Sequence, residues 1–181
     1  MIPKKSEAFN AKANALRAEL KNSGAVTEIA ESGGTVTSVW SGNGGFSQNG
    51  KDLNQNRGFG TLGVSHDFGR TVGWQFIEGR DFSKDFASDS SGFVINEAAA
   101  KFMGLKNPTG QVIHWKNGPW GVDKDFVILG VIKDMVMDSP FRPVEPIVYF
   151  TMGWKGWLIL RVTPGMPMQE ALPKIEKVFN T

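Results

Sequence analysis

The sequence contains no cysteine among its 181 residues. Disulfide bonds, thiolate nucleophiles and cysteine-ligated zinc sites are therefore excluded. This absence does not fix the cellular compartment, because an oxidising compartment permits disulfides without requiring them.

Long apolar runs are also absent. The longest run, FVILGVI at 126–132, is far shorter than the roughly 20 residues that a transmembrane helix needs. Met1 is followed directly by IPKKSEAF, which lacks the apolar core of a signal peptide. Helical patterns run close to both chain ends, so we expect the chain to be an excised piece of a longer protein.

Charge of one sign is not concentrated anywhere in the chain. Its 20 basic and 18 acidic residues are mixed and give a net charge of +2, so a nucleic-acid-binding surface has no support. Histidine is scarce: His66 and His114 are the only two. They do not form a local pair with metal-ligand spacing, so we expect no metal site and interpret each as an ordinary strand residue.

Large apolar side chains are plentiful, and their patterns predict a folded chain. The 13 phenylalanines and 6 tryptophans are too many to remain solvated. Apolar spacing predicts a helix over 4–21 and a second over 97–103, which Asn96 should cap and Gly104 should end. A final amphipathic helix follows 163–167. Pro173 predicts that this helix either is kinked or begins near that proline.

Several short segments have the composition of β-strands. The segment 126–132 is apolar on both faces, which predicts a central strand. The last two strands have hairpin-like spacing, and the Gly- and Asn-rich stretch 41–58 is typical of a loop. The predicted strands are 25–30, 35–40, 59–68 running into a short helix at 67–72, 93–96, 111–115, 124–135, 146–152 and 156–162.

The order of these elements predicts an α+β fold in which both chain ends build one layer. Residues 1–60 and 145–181 form this discontinuous part, and residues 61–144 form an inserted, β-rich part. A boundary is expected near the end of the loop at 41–58.

The stretch GRDFSKDFASDSSGFVINEAAAKFMG at 79–104 is the strongest candidate for chemistry. Asp81, Asp85 and Asp89 recur every fourth residue, but a calcium loop needs ligands at alternate positions and a terminal Glu. Ser90 and Ser91 have no histidine nearby in the sequence to activate them. We therefore interpret the acidic part as a turn that leads into a strand and a helix.

Glycines and aromatic residues offer two further candidates. GNGGFS at 42–47 approaches a phosphate-binding pattern, but no helix opens after it, so we interpret its glycines as a flexible loop. Exposed aromatic residues often mark binding surfaces. Trp120 and Trp154 lie in turns and Phe46 lies in the Gly/Asn loop, so these three form the candidate partner or substrate surface. Trp157, within a strand, is expected in the core.

The motifs W-x-F-x-x-G-R-D-F-S (74–83), FVINEAAAKFMG (93–104), NPTGQVI (107–113) and DFVILGVIKDM (125–135) come in a distinctive order. With PIVYF at 146–150, this order resembles the extracytoplasmic core domain of MacB-type ABC transporter permeases, which are related to FtsX and to lipoprotein-release permeases. The resemblance implies a discontinuous "porter" part built from both ends and an inserted "sabre" part.

The resemblance also implies function. It predicts a non-enzymatic domain outside the cytoplasmic membrane that couples ATP-driven movement of membrane helices to export or to partner engagement. Its partners would be its own transmembrane helices, a second permease copy, a cytoplasmic ATPase, and a periplasmic or outer-membrane protein. No ATP-binding motif of the type G-x-x-x-x-G-K-[ST] is present in the sequence, so ATP would bind a separate domain or subunit and no cofactor is expected here.

Two other functions remain open at this level. One is a free-standing periplasmic module that binds carbohydrate or peptide through exposed tryptophans. The other is a hydrolase that uses Asp81, Asp85 or His66.

Overall fold

The computed structural model describes residues 7–39, 41–53, 58–136, 141–153 and 155–180, with the side chains of residues 7–11 and 120 outside the description. Within these ranges the helices are α1 (Glu7–Asn22), α2 (Phe68–Val72), α3 (Glu97–Met103) and α4 (Met168–Phe179), with 3-10 turns at Ala87–Ser91 and Gly118–Trp120. The strands are β1 (Val26–Ser32), β2 (Gly42–Asn43), β3 (Phe46–Gln48), β4 (Lys51–Asp52), β5 (Phe59–Gly63), β6 (Phe76–Gly79), β7 (Gly92–Asn96), β8 (Val112–Asn117), β9 (Val122–Ile132), β10 (Ile147–Phe150) and β11 (Trp157–Val162).

The helices begin and end close to where their capping residues predict. The Asn96 side chain accepts a hydrogen bond from the Ala99 amide at 3.0 Å, and Gly104 ends α3 with a φ of 69°. Asn96 Oδ1 also accepts from the Ile147 amide at 2.9 Å, so the same cap ties β7 to β10. The last helix begins at Met168 and contains Pro173, so it does not start at that proline.

The two ends of the chain build a small layer that we call the base. It consists of α1, β1, β11 and α4, and β1 pairs with β11 in antiparallel orientation. The alternation of β11 places Leu158, Leu160 and Val162 toward α1 and α4, where they pack with Leu20 and Ala171. The α+β class and the construction of one layer from both chain ends are thereby confirmed.

The remaining nine strands form one larger sheet, which we call the curled sheet. Its order is β2-β5-β10-β7-β9-β8-β3-β4, and β6 pairs with β9 beside β8. The strand β9 has β7 along one edge and β8 then β6 along the other, which confirms that the apolar segment 126–132 is central. One face of the sheet carries an aromatic core with α3 packed against it.

The curled sheet closes on itself at Gly44 and Gly45. The strands β2 and β3 lie near opposite ends of the sheet order, yet only these two residues separate them in the chain. Lys116 donates its amide to the Gly45 carbonyl at 2.9 Å, and Trp115 Nε1 donates to the Gly44 carbonyl at 3.1 Å. Gly45 has a φ of 82°, and a Cβ there would overlap the Lys116 carbonyl oxygen. Gly44 and Gly45 therefore form a short connection held by hydrogen bonds from β8, and short strands flank them.

Two other expectations differ from the structure. Residues 35–39 form turns rather than a strand, and Trp40 lies outside the described residues. The strands β10 and β11 do not form a hairpin, because β10 lies in the curled sheet between β5 and β7 whereas β11 pairs with β1.

The positions at which the chain passes from one sheet to the other follow from the strand order. The strands β2, β3, β4, β5 and β10 belong to the curled sheet, so the change of sheet occurs between β1 and β2 and again between β10 and β11. Local composition could not reveal this, because the strands are short and pair with distant segments.

Candidate functional site

Phe46 does not belong to the predicted aromatic surface, because its side chain is fully buried. Its ring stacks on Trp115 with centroids 5.2 Å apart and meets Phe59 edge-on at 5.0 Å. The Phe46 side chain lies in the aromatic core on one face of the curled sheet. Its assignment to a surface was therefore wrong. Trp154 and the side chain of Trp120 lie outside the described residues. Trp157 is 40% exposed, contrary to the expectation that it lies in the core.

The acidic stretch is organised around an ion pair between a buried aspartate and an exposed arginine. Asp89 is fully buried, and Arg80 holds it with two hydrogen bonds, Nη1 to Oδ2 at 2.6 Å and Nη2 to Oδ1 at 2.8 Å. The Ser83 amide donates a further bond to Asp89 at 2.8 Å. The Arg80 hydrogen bond lowers the pKa of Asp89 below its ordinary value despite burial. The turn at 79–91 is therefore held by its own charges, in agreement with its interpretation as a connection.

The two neighbouring aspartates differ from Asp89. Burial raises the pKa of the Asp81 carboxyl to about 6, against the hydrogen bond that it accepts from the Phe82 amide. Asp85 is exposed and accepts a hydrogen bond from the Ser83 hydroxyl at 3.2 Å. The three aspartates therefore have three separate environments.

The nearby serines bond elsewhere. Ser90 donates to the Ala87 carbonyl and Ser91 accepts from Lys124, so neither hydroxyl is held by a histidine. That arrangement lacks the hydroxyl–imidazole hydrogen bond of an activated nucleophile.

A polar cleft of about 450 Å³ lies between α2 and this turn. Asp67 accepts from Arg70 Nη2 at 2.8 Å and from Lys84 Nζ at 2.7 Å, so its charge is balanced inside the cleft. Burial, followed by the charge of Lys84, lowers the pKa of His66. Within the described part of the chain, no group of three or more potential metal-ligating side chains is assembled. Ion pairs around Asp67 therefore occupy one side of the cleft, and Asp81 and His66 also line it.

His114 lies elsewhere, on the outer face of β8. Its two ring nitrogens lie 2.7 Å from Asp125 Oδ1 and 2.9 Å from Asp123 Oδ1 on β9. Hydrogen bonding to Asp125 raises its pKa. The two histidines therefore lie in different surroundings: His66 lines the polar cleft, and His114 lies between Asp123 and Asp125 on the outer face of the sheet.

The base and the curled sheet are joined directly through their backbones where β1 meets the end of β5. Ser32, the last residue of β1, pairs with Val64 just after β5. The Gly33 amide donates to the Gly63 carbonyl at 2.8 Å, and the Ser65 amide donates to the Glu31 carbonyl at 2.8 Å. The backbone of the base therefore continues directly into the backbone of the curled sheet.

Apolar packing reinforces this backbone connection. Ala30 and Ile159 from the base share one cluster with Val64, Phe68 and Tyr149 from the curled sheet and α2. Ala30, Val64, Phe68 and Tyr149 are all buried. Because apolar burial provides most of the stabilisation inside proteins, this cluster resists separation of the two sheets.

Charged side chains surround the same junction. Arg161 on β11 donates from Nε to the Thr71 carbonyl at 2.8 Å, near the end of α2. Arg70 on α2 lies 3.1 Å from Glu28 on β1 and also holds Asp67. A cation at a helix carboxyl end is favourable, whereas the exposed Arg70 pairs contribute little each. Sequence reasoning missed these residues because their partners are up to 90 positions apart.

Comparisons with known proteins agree with this geometry. A family model described as "MacB-like periplasmic core domain" matches residues 4–178. The periplasmic region of MacB from Actinobacillus actinomycetemcomitans is similar in structure, with a TM-score of 0.62 and 13% identity, over 92% of this chain and 72% of that chain.

A second similar structure is the extracellular domain of the noncanonic ABC-type transporter YknZ from Gram-positive bacteria. Its TM-score is 0.56 and its identity is 14%, over 93% of this chain and 83% of that chain. At such low identity the two structures show a shared fold. No curated protein matches the sequence. Among the described residues, no helix combines the length and the apolar character needed to cross a bilayer.

Proposed function

The chain belongs to the family of MacB-like periplasmic core domains, and from that premise we propose that it is the extracytoplasmic domain of an ABC transporter permease. Its place is outside the cytoplasmic membrane, where it acts without catalysis of its own. Support comes from the family match over nearly the whole chain and from two structural neighbours that are the external domains of MacB and YknZ.

The domain transmits movement as a lever. The base connects to the transmembrane helices, and the curled sheet carries the movement outward. The observation on which this depends is the junction: the Ser32–Val64 pair continues the backbone, and the cluster around Phe68 fills the space beside it. A lever needs such a joint, because a soft joint would absorb the displacement.

The partners of this lever follow from the same proposal. ATP binds and is hydrolysed on a separate cytoplasmic ATPase domain or subunit. A second permease copy completes the transporter, and a periplasmic or outer-membrane protein engages the curled sheet. The absence of catalysis belongs to the same proposal, because the family matched is that of a transporter's periplasmic core domain.

The location is tested by labelling single cysteines in intact cells, which is straightforward because the chain has none. Ser88→Cys places a thiol on an exposed position, and Ser32→Cys places one at a fully buried position as the matched control. A membrane-impermeant maleimide should label Ser88→Cys in intact cells and should label Ser32→Cys only after unfolding. Labelling of Ser88→Cys only after cell lysis would contradict an extracytoplasmic location.

Transmission is tested by locking the junction. Ser32 and Val64 form a non-hydrogen-bonded antiparallel pair, because the flanking bonds run from Gly33 to Gly63 and from Ser65 to Glu31. In such pairs the Cα atoms lie about 4.5 Å apart, within the range of about 4.4–6.8 Å that a disulfide spans. The double variant Ser32→Cys/Val64→Cys should therefore form a disulfide that joins base and curled sheet.

A joint that already moves as one body should tolerate this disulfide. We expect the full-length transporter, reconstituted in liposomes with its ATPase, to keep its substrate-dependent ATP hydrolysis after oxidation. The single variant Ser32→Cys under the same oxidant is the control. Loss of activity on oxidation that is restored by reductant in the double variant alone would show that the two sheets must move against each other.

A further inference from the structure

His114 lies at the centre of a charged surface on the outer face of the curled sheet. Its neighbours in β8, Ile113 and Trp115, are fully buried, so the alternation of the strand turns His114 outward. Nδ1 lies 2.7 Å from Asp125 Oδ1 and Nε2 lies 2.9 Å from Asp123 Oδ1. Both carboxylates come from β9, which pairs with β8 along this length.

This geometry specifies the protonation state of the ring. An ionised carboxylate can only accept a hydrogen bond, so each ring nitrogen must donate one. The neutral imidazole has one N–H, whereas the imidazolium has two. Only the protonated ring can therefore satisfy Asp123 and Asp125 together.

The other charged groups around His114 do not replace its positive charge. The Nζ of Lys116 on β8 lies 3.1 Å from Asp123 Oδ2, and the two residues are in register across the strand pair. On the other side, β3 brings Ser47 into register with His114, and β4 brings Asp52 into register with Ser47. Lys124 of β9 points to the opposite face, with Nζ 2.9 Å from the Ser91 hydroxyl. Asp125 therefore has His114 as its cationic partner in this surface.

We propose that His114, Asp123 and Asp125 form a pH-dependent clasp that holds the end of the β8–β9 hairpin together in mildly acidic surroundings and loosens it as the pH rises. When the ring loses a proton, one carboxylate faces a lone pair instead of an N–H. Between the His114–Asp125 pair and the end of the hairpin, Lys116 is in register with Asp123 and Asn117 with Val122. The turn Gly118–Trp120 follows these pairs, so the clasp controls how often the backbone of this turn opens.

The direction follows from linkage. Hydrogen bonding to Asp125, partly offset by desolvation and strengthened by Asp123, raises the pKa of His114 above 6.5. A raised folded-state pKa means that the stabilisation is complete below pH 6.5 and is lost as the pH rises through the folded-state value. On the acid side the clasp persists, because Lys116 and then His114 lower the pKa of Asp123.

The physiological use of the clasp rests on the proposed extracytoplasmic location, where the domain meets the external pH. The clasp itself does not depend on that location, so it is tested in the purified 181-residue chain. Failure of the clasp would leave the proposed function standing, and a cytoplasmic location would leave the clasp standing.

The first measurement is an NMR titration of the two histidine rings. We expect His114 to titrate above 6.5 and His66, whose pKa burial lowers, to titrate below it as an internal reference. Asp123→Asn and Asp125→Asn should each lower the His114 midpoint and leave His66 unchanged. A His114 midpoint at or below 6.5, or a midpoint that neither substitution moves, would overturn the clasp.

The second measurement is amide hydrogen exchange at residues 116–122 between pH 6 and pH 8.5, corrected for the intrinsic pH dependence of exchange. Protection should fall about two- to fivefold across this range, as the loss of exposed ion pairs implies. His114→Gln should remove the pH dependence, whereas His66→Gln should keep it. Equal pH dependence in the wild-type chain and in His114→Gln would refute the proposal.

Discussion

Replacing Gly45 by alanine should test whether the curled sheet is closed where β2 meets β3. Two costs act at this position. Gly45 has a φ of 82°, a conformation that costs an L-residue about 1–2 kcal/mol. A Cβ would also overlap the carbonyl oxygen of Lys116, whose amide donates to the Gly45 carbonyl.

The second cost follows from the packing on either side. Relieving the overlap requires β3 to move away from β8, which strains a closely packed region for about 1–3 kcal/mol and weakens a hydrogen bond that contributes about 1 kcal/mol. Gly50 provides the matched control, because its φ is 77° and no atom lies within 4 Å of the position of its Cβ. Gly50→Ala should therefore show the backbone cost alone.

Urea unfolding followed by tryptophan fluorescence measures both variants. We expect Gly45→Ala to lower the free energy of unfolding by about 2–3 kcal/mol more than Gly50→Ala does. For a chain of this size that difference corresponds to about 4–12 °C in Tm. If the two variants agreed to within about 0.5 kcal/mol, the close approach of Gly45 to Lys116 would not constrain the fold.

Three further predictions concern individual side chains. Phe46→Ala should lower the free energy of unfolding by about 3–5 kcal/mol, as expected for a buried aromatic. Val136→Ala, at a position that is 66% exposed, should change it by less than about 0.5 kcal/mol. Similar effects of the two substitutions in calorimetry would contradict the assignment of Phe46 to the core. Arg80→Ala should destabilise the chain by about 1–3 kcal/mol, because the buried Asp89 carboxylate would keep only the Ser83 amide as a donor and Arg80 itself is partly exposed. A neutral result in urea unfolding would show that Asp89 is solvated. Burial raises the pKa of Asp81 from 3.8 to about 6, so ionising this carboxyl destabilises the fold as the pH rises between those values. Asp81→Asn should therefore have a higher free energy of unfolding than the wild type at pH 7.5. If the variant exceeded the wild type by the same amount at pH 3.5, ionisation of Asp81 would not be the cause.

The sequence predicted elements whose signals are local. The helix α3 follows from Asn96 at its start and Gly104 at its end, and both act through bonds to residues within five positions. The central place of 126–132 follows from its apolar character on both faces. The order of motifs along 74–150 also identified the family, because that order is more specific than any single motif.

The remaining features depend on contacts between distant segments. GNGGFS has the composition of a loop, but its glycines close the sheet because β8 approaches them from about 70 positions away. The strands β10 and β11 have hairpin spacing, yet β10 pairs with β5 and β7. Composition alone cannot show which strand will lie alongside which.

In the candidate site too, local features were predictable from the sequence and contacts between distant segments were not. The acidic stretch was correctly interpreted as a connection, but the burial of Asp89 beneath Arg80 was not foreseeable from their spacing. The junction residues Ser32, Val64 and Arg161 carry no motif at all. Their positions become meaningful only when β1 and β5 meet end to end.

The most direct test of the lever is the distance between spin labels on the two sheets. Ala18→Cys on the base and Lys106→Cys in the loop that joins α3 to β8 of the curled sheet are both exposed positions. Lys51→Cys on β4 with Lys106→Cys is the control pair on the curled-sheet side. Electron–electron double resonance on the full-length transporter should give a single distance distribution for the first pair. That distribution should be as narrow as the control and should be the same with and without ATP. A distribution that broadens, splits or shifts with ATP for the first pair alone would show that the base and the curled sheet do not move as one body.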